Sequence, residues 1–193
     1  MVTTTEVVVV GAGYAGVAAA NKLARNRRGL RVVMVNPAAS FVERIRLHEF
    51  AATGRRVSVP LREILHPAVD LRIARGLRLG DGQLETSTGG MGFDYCVLAV
   101  GATPCATPQH AYAVGEFDAA ARLHRRLAAL CPGAPVVVVG GGNGGIALAS
   151  RLNRKGESDV VIVEPRSEHF YRPLLSYVGA GLATLGDARR EQS

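Results

Sequence analysis

Two glycine-rich segments with the same spacing have the residue types of a phosphate-binding turn. The pattern G-x-G-x-x-G occurs as Gly11-Ala-Gly-Tyr-Ala-Gly16 and again as Gly140-Gly-Gly-Asn-Gly-Gly145. In such a turn the first glycine permits a tight bend, the second lets a pyrophosphate approach the backbone, and the third lets a helix pack closely. The N–H groups at the start of that helix then attract the phosphates. The predicted binding residues are Gly11, Gly13, Tyr14, Ala15, Gly16, Gly140, Gly142 and Gly145.

A polar side chain lies after each turn at the distance expected for a ribose contact. Asn36 lies 20 positions after Gly16, and Glu164 lies 19 positions after Gly145. An acidic residue at this place commonly binds the ribose hydroxyl groups. The Asn36 amide can accept the same hydrogen bond, although without the help of a charge. The Glu164 carboxylate suits a free 2′-hydroxyl and repels a 2′-phosphate, which favours NAD over NADP if a nicotinamide cofactor binds.

The elements that position these residues form an internal repeat. Glu6–Val10 and Arg31–Val35 have the β-branched character of buried parallel strands, and the alanine-rich segment Tyr14–Arg28 predicts a helix between them. Residues 136–165 repeat the order strand, glycine turn, helix and strand. The predicted fold class is therefore α/β, with two β-α-β units of a Rossmann-like, doubly wound parallel sheet.

The Pro- and Gly-containing segment Cys131–Pro135 is the best candidate for a domain boundary. It separates a first dinucleotide-binding domain at 1–131 from a second at 132–193, and both are predicted to be incomplete. A sheet without its later strands has an open edge, which predicts self-association of the chain.

The other segments carry weaker patterns. Phe93–Val100 predicts a strand that ends at Gly101, and Glu116–Leu130 has the apolar periodicity of a helix. The tail predicts a helix near Leu174–Thr184 and a polar, frayed end. Short segments with Gly-Asp-Gly turns predict a small antiparallel meander, whose strands are Val69–Ala74, Leu77–Leu79 and Gln83–Thr88.

Composition and charge exclude several classes of protein. Hydrophobic residues make up 48% and charged residues 20% of the 193 residues, which is typical of a folded globular chain. No apolar run approaches the about 20 residues of a membrane-spanning helix. The net charge of +7 comes from arginines spread along the chain, without the clustering expected of a nucleic-acid site. This charge predicts attraction to dinucleotides or to a membrane surface.

The cysteines and histidines give no catalytic or metal-binding pattern. Cys96, Cys105 and Cys131 form no CxxC pair, so a reducing, cytoplasmic location is the simpler interpretation, with contact at the inner face of the membrane left open. The five histidines have no metal-like spacing and predict packed or solvated side chains. No metal site and no catalytic residue is assigned.

Residues 7–142 resemble flavoproteins with two dinucleotide-binding domains, in particular the type II NADH dehydrogenases. The resemblance implies FAD in the first unit, NADH in the second, and hydride transfer from the nicotinamide to the flavin. It implies that Asn36 and the first glycines bind FAD and that Gly101 lets the backbone pass beside it. Arg44 lies near the phosphates or flavin, or is an ordinary surface arginine. The segments that carry the resemblance are Val7–Gly16, Val33–Pro37, Phe41–His48 and Phe93–Thr103.

The sequence departs from that family in three places. A later strand with a Gly-Asp segment, which completes the FAD site in the family, is not evident. Ala147 replaces the acidic residue that usually comes after the third glycine of the NADH motif. Residues 160–181 resemble instead the N-terminal FAD unit of sulfide:quinone oxidoreductases. The second unit is therefore left as either an NAD-type or an FAD-type site.

Two functions remain open from the sequence. One is an FAD-dependent oxidoreductase that passes a hydride from NAD(P)H to FAD and on to an acceptor such as a quinone. The other is a truncated, non-catalytic dinucleotide-binding fragment that keeps the glycine turns without a complete flavin pocket. A basic nucleic-acid-binding module is a third and weaker hypothesis.

Overall fold

The computed structural model describes residues 4–25, 29–102, 106–156 and 158–191. Contacts divide the chain into two compact units. Unit 1 consists of Met1–Val42 and Ser58–Thr103, and unit 2 consists of Glu43–Val57 and Pro104–Ser193. These units are defined by contacts within the folded chain, whereas the two nucleotide-binding domains at 1–131 and 132–193 are predicted from the repeated sequence pattern. The contacts do not test that division, so the two domains remain a prediction.

Strands and helices alternate along the chain. The strands are β1 (Thr5–Val10), β2 (Leu30–Asn36), β3 (Ser40–Val42), β4 (Ser58–Pro60), β5 (Val69–Ile73), β6 (Gly76–Gly80), β7 (Gln83–Thr86), β8 (Gly89–Gly92), β9 (Tyr95–Leu98), β10 (Ala134–Val139), β11 (Ser158–Val163), β12 (Glu168–Phe170) and β13 (Arg189–Glu191). The α-helices are α1 (Tyr14–Arg25), α2 (Leu47–Thr53), α3 (Leu61–Ile64), α4 (Phe117–Ala128), α5 (Asn143–Lys155) and α6 (Leu175–Gly179). Short 3₁₀ helices lie at Arg44–Arg46, Arg172–Leu174 and Gly186–Ala188.

The centre of unit 1 is a four-stranded sheet in the order β5-β2-β1-β9. All of its pairs are parallel, and Val10 of β1 lies opposite Val35 of β2 and Leu98 of β9. The four valines that end β1 are buried, because a central strand of a parallel sheet is covered on both faces. The predicted α/β class with a parallel sheet is confirmed.

A helix and the antiparallel meander cover the opposite faces of this sheet. On one face, Ala20 of α1 packs in the same apolar cluster as Met34. On the other face, Leu84 of β7 and Met91 of β8 pack in the cluster that contains Val33. The meander therefore acts as the second cover of the sheet and keeps its central strands away from water.

The meander differs from the prediction in its strands. The segment predicted as its first strand, Val69–Ala74, forms β5 (Val69–Ile73), which pairs in parallel with β2. The third strand of the meander is instead β8, whose sequence Gly-Gly-Met-Gly has a low strand propensity. Pairing with β7 and burial of Met91 define β8 as a strand, and neither is visible in the local sequence.

The tail also differs from the prediction. Its end, predicted to be frayed, forms β13, which pairs with β12 in an antiparallel ribbon. The tail helix is shorter than predicted, because α6 covers only Leu175–Gly179. In unit 1, α1 ends at Arg25, and the predicted final residues Asn26–Arg28 lie outside the described residues.

Unit 2 repeats the strand, helix and strand order with β10, α5 and β11. Strand β10 pairs in parallel with β11 along its whole length, with Val139 opposite Val163. Among the described residues, β10 has no partner on its other edge, and Val137 and Val139 are 60% and 83% exposed. Because β11 pairs only with β10, the sheet that these two strands form is open at both edges within the described part of the chain.

Helix α2 belongs to unit 2 and packs there against α4 through ring contacts. Phe50 stacks on Phe117, with ring centroids 5.2 Å apart and planes at 4°. His124 Nδ1 lies 3.1 Å from the carbonyl oxygen of Ala51. The helix ends at Gly54, which has φ +73°, and a Cβ there would lie 2.9 Å from His124 Nε2. His124 is therefore a packing residue, in agreement with the prediction for the histidines.

Burial lowers the pKa of His48, which also lies on α2, below its ordinary value of 6.5. The positive charges of Arg151 on α5 and of Arg46 lower this pKa further. The negative charge of Glu49 and a hydrogen bond with the backbone of Ile45 act in the opposite direction without reversing the shift. Folding of unit 2 therefore favours the neutral imidazole.

We predict that unit 2 loses stability as the pH falls below about 6.5, because the unfolded chain then binds a proton that folded His48 resists. His48→Gln should remove this part of the pH dependence and leave stability near neutral pH little changed. Urea unfolding midpoints of both proteins at about pH 7.5 and about pH 5.5 measure the effect. The same decrease in both proteins would contradict the prediction.

Candidate dinucleotide-binding sites

The first glycine turn connects β1 to α1 at the carboxyl edge of the unit 1 sheet. Gly11 has φ +99°, and its N–H donates to the carbonyl of Val35 at 2.9 Å, which ties the turn to β2. The N–H of Val17 donates to the carbonyl of Gly13 at 3.0 Å and closes the first turn of α1. No acidic residue lies in that first turn, so no charge on the helix start opposes an anion.

Each glycine of the first turn meets a different environment. A Cβ on Gly16 would lie 1.9 Å from the carbonyl oxygen of Gly11, and a Cβ on Gly11 would lie 2.4 Å from that of Ala99. A Cβ on Gly13 would meet no atom within 4 Å. The fold itself therefore requires Gly11 and Gly16. Gly13 borders open space at the helix start, which fits the place of a pyrophosphate.

Asn36 joins the end of β2 to the glycine turn. Its Oδ1 accepts a hydrogen bond from the N–H of Ala12 at 3.0 Å, and its Nδ2 donates to the carbonyl of Ala38 at 2.7 Å. The side chain thus holds the turn in place before any ligand is present. An amide oxygen has a second lone pair, so the predicted contact with a ribose hydroxyl does not require breaking the bond to Ala12.

Strand β9 brings another segment to the same edge of unit 1. The N–H of Ala99 donates to the carbonyl of Val10 at 2.8 Å, so the chain after β9 runs beside the turn. Gly101 comes next, exposed and with φ +70°, whereas Thr103 lies outside the described residues. Sequence reasoning selected Gly101 and missed Ala99, whose carbonyl faces Gly11. An alanine acting through its backbone leaves no signal in the sequence.

The second glycine turn, in unit 2, repeats the bonds of the first. Gly140 has φ +104°, and its N–H donates to the carbonyl of Val163 at 2.9 Å. The N–H of Ile146 donates to the carbonyl of Gly142 at 3.0 Å. A Cβ on Gly145 would lie 1.9 Å from the carbonyl oxygen of Gly140, whereas one on Gly142 would meet no atom within 4 Å. Both turns therefore leave their second glycine beside open space.

Glu164 occupies in unit 2 the place that Asn36 has in unit 1. Its Oε2 accepts a hydrogen bond from the N–H of Gly141 at 2.5 Å, and its Oε1 accepts from the N–H of Arg166 at 3.2 Å. Hydrogen bonds to a carboxylate are stronger than those to a neutral amide. The side chain at the end of the second strand therefore anchors the turn in both units, and in unit 2 that side chain is charged.

A cleft of about 470 Å³ opens beside Glu164 in unit 2. This volume lies within the roughly 300–1,000 Å³ of typical small-molecule sites. His169 Nδ1 lies 2.9 Å from the carbonyl oxygen of Gly141 and connects the wall of the cleft to the glycine turn. The other residues around the cleft are Ile146, Ile162, Arg166, Arg190 and Glu191.

Arg44 has a partner within unit 2. Its Nε and Nη2 both donate to the carbonyl oxygen of Gly115, at 3.1 and 2.9 Å, at an exposed position. These bonds hold the guanidinium on the segment that precedes α4. A role of Arg44 near the phosphates or the flavin remains a prediction.

A glycine turn between a parallel strand and a helix, anchored from the end of the next strand, defines a Rossmann-like dinucleotide-binding protein. The sequence model of one such family, the pyridine nucleotide-disulphide oxidoreductases, matches residues 5–183. The chain belongs to this family. Its known members depend on FAD and NAD(P)H.

Curated relatives agree with this assignment. An NADH dehydrogenase-like protein of Mycobacterium tuberculosis is 33% identical over 169 residues, which cover 77% of this chain and 42% of the relative. The mitochondrial sulfide:quinone oxidoreductase of Mus musculus is 51% identical over 51 residues, which cover 26% of this chain and 11% of the relative. The chain spans less than half the length of these relatives.

Solved structures share the fold at low sequence identity. NDH2 from Plasmodium falciparum in complex with NADH superposes with a TM-score of 0.69 at 16% identity, covering 94% of this chain and 46% of that one. The covalent putidaredoxin reductase–putidaredoxin complex gives 0.66 at 22% identity, covering 96% and 48%. Within the described ranges, every helix is too short or too polar to cross a bilayer.

The glycines of both turns give a prediction about the ligand-free protein. Gly16→Ala and Gly145→Ala should each lower the free energy of unfolding by about 1–3 kcal/mol, because the new Cβ overlaps a backbone oxygen that cannot move freely. Gly13→Ala and Gly142→Ala should change it by less than about 0.5 kcal/mol, because each Cβ enters open space. Urea unfolding followed by circular dichroism compares the four variants. Equal losses for all four would disprove the assigned roles.

Proposed function

We propose that this chain acts as an FAD-dependent oxidoreductase that takes a hydride from NAD(P)H and passes electrons to an acceptor such as a quinone. The observation that carries the proposal is the first glycine turn, where Gly13 borders open space at the start of α1. The names of the relatives, an NADH dehydrogenase-like protein and a sulfide:quinone oxidoreductase, support the donor and the class of acceptor.

The residues of unit 1 hold the binding turn in an open form. The bonds from Gly11 to Val35 and from Ala12 to Asn36 hold the backbone, so little ordering remains to be done when a dinucleotide arrives. The diphosphate meets N–H groups at the start of α1, and Gly101 and Asn36 border the same edge. When bound, FAD supplies the acceptance and release of the hydride's electrons. The net charge of +7 attracts the anionic cofactor.

A second candidate function is dinucleotide binding without turnover. The open edge of β10, with Val139 83% exposed, favours it, because the sheet of the unit expected to bind the hydride donor is open to water, whereas hydride transfer needs a site that excludes water. Both candidates include nucleotide binding at the first turn. They differ only in whether NADH reduces a bound flavin.

The test of this function is an FAD titration of the full chain by calorimetry, followed by addition of NADH without oxygen. We expect FAD to bind at the first turn and its visible absorbance to bleach with NADH. Gly13→Ala should weaken that site at least about tenfold, or about 1.4 kcal/mol. Gly80→Ala, whose Cβ also meets no atom within 4 Å, is the matched control.

Three outcomes of this experiment are informative. Bleaching that Gly13→Ala reduces and Gly80→Ala preserves supports the oxidoreductase. Binding of FAD without bleaching supports the second candidate. Well-folded protein that releases no heat with FAD overturns both.

We also propose self-association through the open sheet of unit 2, and a cytoplasmic location with contact at the inner face of the membrane. Support for self-association comes from exposed β-branched side chains on both strands, which are Val137, Val139, Val161, Ile162 and Val163. Support for membrane contact comes from the positive net charge.

Sedimentation velocity tests the self-association. The apparent mass should rise with protein concentration, and Val139→Lys should reduce the rise, because a charge on an edge strand opposes pairing with another edge. Arg78→Lys, on the exposed strand β6, serves as a surface control. A mass of one chain at all concentrations would contradict self-association.

A further inference from the structure

We propose that residues 134–191 repeat the whole dinucleotide-binding front of residues 5–60, and that the second glycine turn takes a second FAD in place of NADH. This inference rests on the proposed binding of FAD at the first turn. The proposed function stays the same except for the NADH site, which would then lie on a surface other than the second glycine turn. Support for the inference comes from the elements that lie after each β-α-β unit in the chain.

The elements after the second strand of each unit recur at one constant spacing. Four features of the second copy each lie 128 positions after a counterpart in the first copy. They are Glu164, β12, the 3₁₀ helix at Arg172–Leu174 and the start of α6. Their counterparts are Asn36, β3, the 3₁₀ helix at Arg44–Arg46 and the start of α2. A β-α-β unit alone needs none of these elements. The repeat therefore extends beyond the part that all dinucleotide-binding units share.

The backbone hydrogen bonds of this extension also recur. The N–H of Glu43 donates to the carbonyl of Val57 at 2.8 Å, and the N–H of Tyr171 donates to the carbonyl of Ala188 at 2.8 Å. Both acceptor residues are buried, at 1% and 0% exposure. Glu43 has φ −72° and ψ 73°, and Tyr171 has φ −71° and ψ 87°. The chain therefore makes the same bend at both places.

A two-stranded antiparallel ribbon accompanies each bend. In the first copy, β3 pairs with β4, and Phe41 lies opposite Val59. In the second copy, β12 pairs with β13, and His169 lies opposite Arg190. The two copies thus have the same ribbon at the same point of the chain, although their side chains differ in polarity.

The same ribbon position contacts the glycine turn in both copies. In unit 1, the ring of Phe41 packs edge to face on Tyr14 at 4.9 Å between centroids. In unit 2, His169 Nδ1 lies 2.9 Å from the carbonyl oxygen of Gly141. The cleft of about 470 Å³ beside Glu164 is walled by this second ribbon. In both copies the ribbon therefore contacts the turn segment through the same position.

These observations favour one ligand type for both turns. The ADP half is common to FAD and NADH, so the glycine turns by themselves do not distinguish them. Beyond the turns, the bend and the ribbon are built twice with the same backbone bonds. If the first copy binds FAD, the second copy has the same backbone with which to bind it.

The experiment counts FAD sites on the full, ligand-free chain. Calorimetry and absorbance after dialysis should give two FAD per chain. Gly142→Ala and Gly13→Ala should each weaken one of the two sites at least about tenfold and leave the other. Gly80→Ala, which lies outside both turns and whose Cβ also meets no atom within 4 Å, should keep both sites.

A competition measurement requires no variant. Excess NADH should leave both FAD molecules bound if the inference holds. Release of one FAD by NADH would overturn the inference, as would a single FAD site that Gly13→Ala weakens and Gly142→Ala leaves intact. The proposed function fails in a different way, namely when FAD binding is unaffected by Gly13→Ala.

Discussion

In both units, a helix starts so close to a glycine carbonyl that no side chain fits between them. The narrow gap at Gly16 and Gly145, where a Cβ would lie 1.9 Å from a backbone oxygen, sets the angle of the helix against the sheet. That angle aims the first N–H groups of the helix at the space beside the second glycine. The open space beside Gly13 and Gly142, where a diphosphate is proposed to bind, depends on this packing.

The anchor at the end of the second strand is the place where the two turns differ chemically. Asn36 holds its turn with a neutral amide, and Glu164 holds the other with a carboxylate that accepts two backbone N–H groups. The charge makes the second anchor stronger, but it also places a negative group where the sequence predicts a ribose contact. The same fold can therefore present a neutral or an acidic surface to a bound nucleotide without any change in its backbone bonds.

The two units also differ in how their sheets are covered. In unit 1, α1 and the meander exclude water from both faces of β1, and its last four valines are at most 7% exposed. In unit 2, the similar valine run of β10 keeps Val139 83% exposed. Covering such side chains removes apolar surface from water, which stabilises a protein by roughly 25 cal/mol per Å². Unit 2 consequently lacks much of the stabilisation that its sequence pattern could provide.

Residue types and their spacing were enough to predict the two glycine turns and the strand–helix–strand order around them. They also selected Asn36 and Glu164, although for a ribose contact and not for the bonds by which these side chains anchor the turns. These features are local, because a tight turn, a helix start and a buried strand each require particular residue types within a few positions. The same local requirements predicted a close phosphate approach at the second glycine of each turn, and the structure leaves open space beside Gly13 and Gly142.

Pairing with other segments of the folded chain established the strands β8 and β13, the membership of β5 in the parallel sheet and the contact between Ala99 and Gly11. Each of these depends on a segment elsewhere in the chain, through backbone groups that every residue carries. Gly-Gly-Met-Gly and Arg-Arg-Glu have little strand character of their own, and hydrogen bonding to a neighbouring strand supplies it. A backbone contact of this kind leaves no mark on residue type, so the sequence alone did not reveal it.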